Sequence, residues 1–336
     1  MCKAAGDPAS TAPGAGLKPT IALLLPLDSP DYSAPADAVL QGCRAALALA
    51  EGEPQPDVMR TDASPASIAA QYEAAVQRGA TVVVGPMTRS GVSALAAGGK
   101  VRVLTLALNV PDGNEALPAN LYALGLSVES EARQVARAAY AEKLRDAVVV
   151  HADSALARRS GQAFSQAWLA LGGKISDTQE FGPRTELVRL HQRLSRSNAD
   201  LVFLAAGPEQ ARTVRPYLNN QIPVFATSQI NSGRADPAAN VDLNGVRFVE
   251  MPWLAQPDNI NVMVFRRAET LAPELQRFYA LGIDACRIAA NFLHRRLRVS
   301  LEGVTGNLSM TDSGHIEREA IQAVFRDGAG VALGTP

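Results

Sequence analysis

Residues able to do chemistry are few in this chain, and they do not cluster. The four histidines, His151, His191, His294 and His315, stand far apart. None has a second histidine or a cysteine at metal-ligand spacing. There is no G-x-S-x-G elbow, no H-E-x-x-H helix and no G-x-x-x-x-G-K-[ST] loop. Leu25-Pro26-Leu27-Asp28 follows the first apolar run without the glycines that let a backbone approach a pyrophosphate. Catalysis, a bound metal and a cofactor are therefore not expected.

The remaining polar candidates share one kind of position, just beyond a short apolar run. Asp28 and Ser29 follow the first run, Pro86, Met87 and Thr88 the third, and Asn109 the fourth. Asp153 with Ser154, Ser228 with Gln229, and Trp253 hold the equivalent places further on. In parallel α/β sheets, ligands sit at these carboxyl ends of strands, beside helix N-termini. Small hydroxyls, an amide, carboxylates and one aromatic would suit a small polar ligand, such as a zwitterion or a sugar-peptide fragment. Each residue also has a local reading. Asp28, Asp153 and Asn109 suit turns or caps, Thr88 suits the cap of the helix after it, and Trp253 suits packing at a hinge.

The elements that must position these residues alternate regularly. Residues 81–109 show the unit: the apolar Thr81–Val84 run stops at Gly85-Pro86, a short helical pattern follows, Gly98-Gly99 breaks it, and a new run starts at Val101. Strand-like runs begin near Ile21, Val58, Thr81, Val101 and Leu121, then near Ala147, Ile175, Leu201, Val224 and Val246. Between them lie amphipathic helices with recognisable ends. Ser64-Pro65 and Ser127 read as N-termini, Gly79 and Gly172 as C-terminal stops. Two sets of five strands predict two Rossmann-like α/β lobes with parallel sheets, in series and joined by a hinge. Beyond GVRFVEMPWLA, a long helix carries Phe278, Gly282, Ala285, Cys286, Ala289 and Phe292 on one face. A turn-rich segment then ends the chain, with a hairpin expected at Asp312-Ser313-Gly314.

Bulk properties narrow the class further. A chain of 336 residues suits two domains, each with its own core. A net charge of −1 offers no footprint for nucleic acid, and the basic run His294–Arg298 falls where a helix ends and cations complement its dipole. No run approaches the roughly 20 apolar residues of a membrane span. Residues 1–18 begin Met1-Cys2 and continue in small residues, Pro and Gly, the composition of a flexible tether. Cys2 is either the lipidated start of a bacterial lipoprotein or a cysteine in an unstructured tail. Cys43 and Cys286 lie on apolar helix faces, as buried thiols or as a pair if the two helices are neighbours.

Several segments carry a resemblance. VVVGPMTRSGVSAL (82–95), VLTLALN (103–109), LYALGLSVESEARQVA (121–136), FYALGIDACRIAANF (278–292) and GVTGNLSMTDSGHIER (303–318) resemble type I periplasmic binding proteins. Within that fold they look most like the LppC family of penicillin-binding-protein activator lipoproteins. The resemblance implies that the chain crosses between lobes three times. Residues 19–127 with about 256–300 would form the first lobe, and 128–255 with about 301–330 the second, so that Asn109, Ser228 and Trp253 surround one cleft. It also implies an outer-membrane lipoprotein facing the periplasm and held by Cys2. There it would contact a class A penicillin-binding protein and stimulate peptidoglycan synthesis by binding alone, with a small polar or peptidoglycan-derived ligand as a further cleft occupant. Larger members carry an additional N-terminal helical-repeat domain, where this sequence reads as a short tether. The alternative is the substrate-binding lipoprotein of an ABC transporter for an amino acid or similar small polar ligand. Against it, Met87 stands where such receptors usually show small Ser, Ala and Thr residues.

Overall fold

The computed structural model describes residues 20–334, apart from 51, 53, 100, 113–115 and 183 and the side chains of 184–186. Cys2 and the tether lie outside the described residues. Five strands, β1 (Ile21–Leu25), β2 (Asp57–Arg60), β3 (Val82–Val84), β4 (Leu104–Ala107) and β5 (Leu121–Ala123), form the first sheet. Their order is β2-β1-β3-β4-β5 and every pairing is parallel. All five residues of β1 are buried, the signature of a strand covered on both faces. The covering helices are α1 (Ser33–Leu49), α2 (Pro65–Gln77) and α3 (Arg89–Ala97). Ser64 caps α2 through Ser67 N and Thr88 caps α3 through Gly91 N, each satisfying an N–H that the helix cannot. The fourth strand begins at Leu104, three residues later than its apolar run suggests. The Tyr72 hydroxyl accepts from the backbone N–H of Arg102 at 3.0 Å, so the run's start is tied to α2 before it can join the sheet.

The second body repeats the plan. Helix α4 (Val128–Ala141) leads into β6 (Asp146–Ala152), α5 (Ala155–Ala170), β7 (Lys174–Phe181), α6 (Arg184–Leu194), β8 (Leu201–Ala205), α7 (Pro208–Val214), β9 (Val224–Ala226) and β10 (Arg247–Glu250). Parallel order β7-β6-β8-β9-β10 mirrors the first sheet. Its edge strand β7 alternates exposed and covered residues, as a strand wet on one face should. Stacked Phe164, Phe203 and Trp168 fill the centre, with ring centroids 4.1 and 5.5 Å apart. Each such ring contributes roughly 1.5–3 kcal/mol of burial.

The chain then returns to the first body. After the single-turn helices α8 (Pro252–Ala255) and α9 (Ile260–Met263), the long helix α10 (Gln276–Leu293) packs along α1. Glycine makes the crossing possible. A Cβ on Gly42 would stand 1.9 Å from the Tyr279 carbonyl oxygen, and one on Gly282 would stand 2.1 Å from that of Val39. A Cys43–Cys286 disulfide joins the two helices at this point, closing a sequence separation of 243.

Strands β11 (Ser300–Glu302), β12 (Asn307–Met310) and β13 (Ile316–Glu319) form a separate antiparallel sheet, turned at Asp312-Ser313-Gly314. Its Val304, Leu308 and Ile316 join the core that also holds α1, β1 and α10. Only β14 (Ile321–Arg326) and β15 (Ala329–Ala332) extend the second sheet, β14 antiparallel to β10. The residues from 300 to 319 therefore pack with the first body, and the strands after them with the second. Asp284 clasps the turn between β11 and β12. It accepts from Val304 N at 3.1 Å, from Thr305 N at 2.8 Å and from Thr305 Oγ1 at 2.7 Å. Full burial pushes its carboxyl above the usual range, against the pull of these donors and of Arg287.

Candidate functional site

Between the two bodies lies a cavity of about 460 Å³, within the usual range for a small-molecule pocket. Met87, Asn109, Ser228 and Gln229, all from the strand-end set, reach its wall. Asn109 is already engaged, since its Nδ2 donates to the Met87 carbonyl at 3.1 Å and so fixes the loop after β3. Met87 is itself buried in the first core.

The other candidates are occupied locally. Asp28 pairs with Arg60, and Asp153 pairs with Arg158. Ser29 is buried, and its carbonyl accepts from Ser33 N at the start of α1. Pro86 follows a cis peptide bond and packs near Gly91, while Thr88 is the cap described above. Trp253 corrects the expectation most clearly. It is fully buried among first-body residues, 5.4 Å from the Tyr279 ring, with its Nε1 donating to Gln276. Once α10 returns to the first body, the indole faces that helix and cannot serve as a ligand platform.

Charged residues that strand-end reasoning missed define the site's electrostatics. Arg277, near the start of α10, pairs with Glu250 at the end of β10. Its guanidinium also donates to the carbonyls of Ser228 and Asn231, each at 3.0 Å. Glu250 accepts in addition from Asn231 Nδ2 and Met251 N, both at 2.9 Å. Deeper in, Arg318 of β13 pairs with Glu131 of α4, and Glu131 accepts from Ser228 N at 3.0 Å. A third tie lies at the rim. Glu129 bridges Arg89 of α3 at 3.0 Å and Arg159 of α5 at 3.1 Å. Burial alone would raise the Glu129 carboxyl. Its backbone and Ser127 hydrogen bonds, with both arginines, outweigh that and hold it below the usual range.

Three sets of ion pairs thus cross between the bodies. Among the described residues lining the cavity, Glu274 at the mouth is the carboxylate these ties do not use. Holding a free amino acid needs a carboxylate for its amine and donors for its carboxylate. Here the buried groups able to do so already satisfy each other. No group of three or more His, Cys, Asp or Glu residues able to hold a metal occurs among the described residues. No described helix is long and apolar enough to cross a membrane.

Two doubly wound lobes, three connecting passages and a cleft at the strand ends define a type I periplasmic-binding-protein fold. The family described as "LppC putative lipoprotein" matches residues 17–194 and 186–328, and the chain belongs to it. Penicillin-binding protein activator LpoA of Glaesserella parasuis is 28% identical over 320 residues, spanning 92% of this chain and 54% of that protein. The chain thus spans about half the length of the curated relatives it matches. The C-domain of LpoA from Haemophilus influenzae, described as a regulator of PBP1A, superposes with a TM-score of 0.78 at 25% identity, covering 94% of this chain and all (100%) of that one. A Chromobacterium violaceum structure described as a "putative branched-chain amino acid ABC transporter" superposes equally well. Its TM-score is 0.78 at 35% identity, with 92% of this chain and 100% of that one covered. The relatives named as activators are regulators by name, not enzymes.

Proposed function

We propose that this chain is the binding-protein-like module of a lipoprotein regulator of cell-wall synthesis. It contacts a class A penicillin-binding protein in the periplasm, stimulates peptidoglycan synthesis by binding, and has no catalysis of its own. Cys2 carries the lipid that holds it to the outer membrane. The observation that carries this reading is the cleft, whose buried charges are paired across the lobes and leave no set of ligands for a zwitterion. The names of the LpoA relatives support the same direction. A fixed two-lobed body suits a protein that presents a surface to another protein. A receptor that must open and close is poorly served by three crossing ties.

The likeness to the Chromobacterium structure favours a second reading, an amino-acid-binding lipoprotein of an ABC transporter. The two are separated by adding the purified chain to a purified class A synthase and following glycosyltransferase and transpeptidase rates, with calorimetry against free amino acids in parallel. Stimulation without amino-acid binding is expected. Micromolar binding of a single amino acid, with no effect on the synthase, would replace the regulator by the receptor. A Cys2→Ser variant is expected to leave the membrane fraction, and retention there refutes the anchor.

A further inference from the structure

A cavity larger than the cleft lies elsewhere among the described residues. A trough of about 950 Å³ is lined by α4, by the β11–β12–β13 sheet and by Val110, Pro111, Ala123 and Gly125 of the first body. Strand pairing arranges one face of that sheet in two rows, Ser300–Ser309–Glu317 and Glu302–Asn307–Glu319. All six are exposed and the alternate residues Leu308, Ile316 and Arg318 are buried, as the two-residue period of a strand requires, although these three also reach the trough's lining. The opposite wall carries Arg133 and Arg137, one helical turn apart on α4 and both exposed.

These two walls are oppositely charged, yet they do not pair. Neither arginine side chain makes an ion pair or hydrogen bond among the described residues, and neither do the side chains of Glu317 and Glu319. Two like charges at i, i+4 repel, so Arg133 and Arg137 weaken α4 unless an anion comes between them. His315 adds a second sign of an unfilled site. It lines the same trough, and its Nδ1 is buried without a hydrogen-bond partner, a state that native structures seldom leave in place. No Phe, Tyr or Trp lines the trough among the described residues. Recognition there works by charge and hydrogen bond, not by stacking on a sugar face.

We propose that this trough binds a short peptide carrying both free carboxylates and a free amine. Its carboxylates would lie against Arg133 and Arg137 and its amine against Glu317 and Glu319. Ser300, Ser309 and Asn307 would meet the peptide groups between. The source assigned to it, the stem peptides of the cell wall, rests on the regulator reading above. The site itself does not.

The test titrates the folded chain with three probes: the tetrapeptide Ala-Glu-Lys-Ala, its uncharged analogue N-acetyl-Ala-Gln-Gln-Ala-amide, and soluble muropeptides from digested cell wall. The charged tetrapeptide and the muropeptides are expected to bind and to move the ¹⁵N resonance of the His315 ring, with the uncharged analogue silent. Arg133→Glu with Arg137→Glu, and separately Glu317→Gln with Glu319→Gln, should each weaken binding by about tenfold or more, since each removes charge-assisted hydrogen bonds. All four positions are exposed, so the variants should fold, which urea unfolding checks. No binding of any charged probe, or binding that neither pair of substitutions changes, overturns the site. Tetrapeptide binding without muropeptide binding overturns the cell-wall source. Peptide binding by a chain that does not stimulate the synthase leaves the trough standing and counts against the regulator, so the two readings fail separately.

Discussion

Replacing Arg277 by Met should be among the most damaging single changes in the cleft, and the structure gives the reason. The guanidinium neutralises Glu250, whose side chain is 0% exposed, and it satisfies the Ser228 and Asn231 carbonyls as well. Without it, Glu250 keeps its bonds from Asn231 and Met251 but loses its only cation among the described residues. Removing one partner of a buried pair costs about 3–5 kcal/mol, because the other charge stays buried and uncompensated. At roughly 2–4 °C per kcal/mol for chains of this order of size, the melting temperature should fall by about 6 °C or more. Replacing both partners tests the cause. Glu250→Gln with Arg277→Met leaves no stranded charge, so the double variant should be more stable than Arg277→Met alone. Urea unfolding followed by circular dichroism measures both. A cost below about 1 kcal/mol for Arg277→Met, or a double variant no more stable than the single one, would refute the stranded-charge account.

Three further outcomes are expected. Reducing the Cys43–Cys286 disulfide, or replacing both cysteines by Ala, should cost about 2–5 kcal/mol, and a melting temperature unmoved by dithiothreitol would contradict this. Gly42→Ala and Gly282→Ala each place a methyl within about 2 Å of a backbone oxygen of the partner helix. Backbone cannot yield as a side chain does, so a loss of about 1–3 kcal/mol or more is expected by denaturation, and neutral variants would argue that α1 and α10 sit further apart. Glu129 titrates below its ordinary value of 4.5 in the folded chain. Its contribution is present above that pH and is lost as pH falls through the lower folded value. The loss of stability on acidification below 4.5 should therefore be smaller in Glu129→Gln, and an unchanged pH profile would refute the assignment.

Much of the fold was legible in the sequence, because its determinants are local. A five-residue apolar run such as Ile21–Leu25, stopped by Pro26, is too short for a helix and reads as a strand covered on both faces, and Ser64-Pro65 and Gly79 end a helix wherever it packs. The site was legible only where it is local too. Met87, Asn109, Ser228 and Gln229 reach the cleft because strand ends must. Trp253 fails because its neighbours, Tyr279 and Gln276, arrive from a helix more than 20 residues on. The paired charges were illegible for the same reason at greater range. Glu131 reads as an ordinary first-turn acid of α4, and nothing nearby shows that Arg318, 187 residues away, will bury itself against it.

That long-range pairing bears on what kind of machine the fold can be. The segments Gly282–Ala285 and Gly303–Gly306 act here as a clasp, with Asp284 gripping Val304 and Thr305. The clasp holds the small sheet to α10, and α10 is in turn sewn to α1 by the disulfide. Arg318 leaves that same sheet to hold Glu131, and Glu131 holds Ser228 of the other lobe. A continuous chain of bonded groups therefore runs from the first core through the hinge into the second. Opening such a cleft would break the Glu131–Arg318 and Glu250–Arg277 pairs together. A ligand would have to replace both sets of bonds to drive it. The trough along α4 lies beside this chain of contacts, and Arg318 and Ser130 border both it and the α4 end that carries Glu131. A peptide held in the proposed trough site would brace the hinge from outside without entering the cleft.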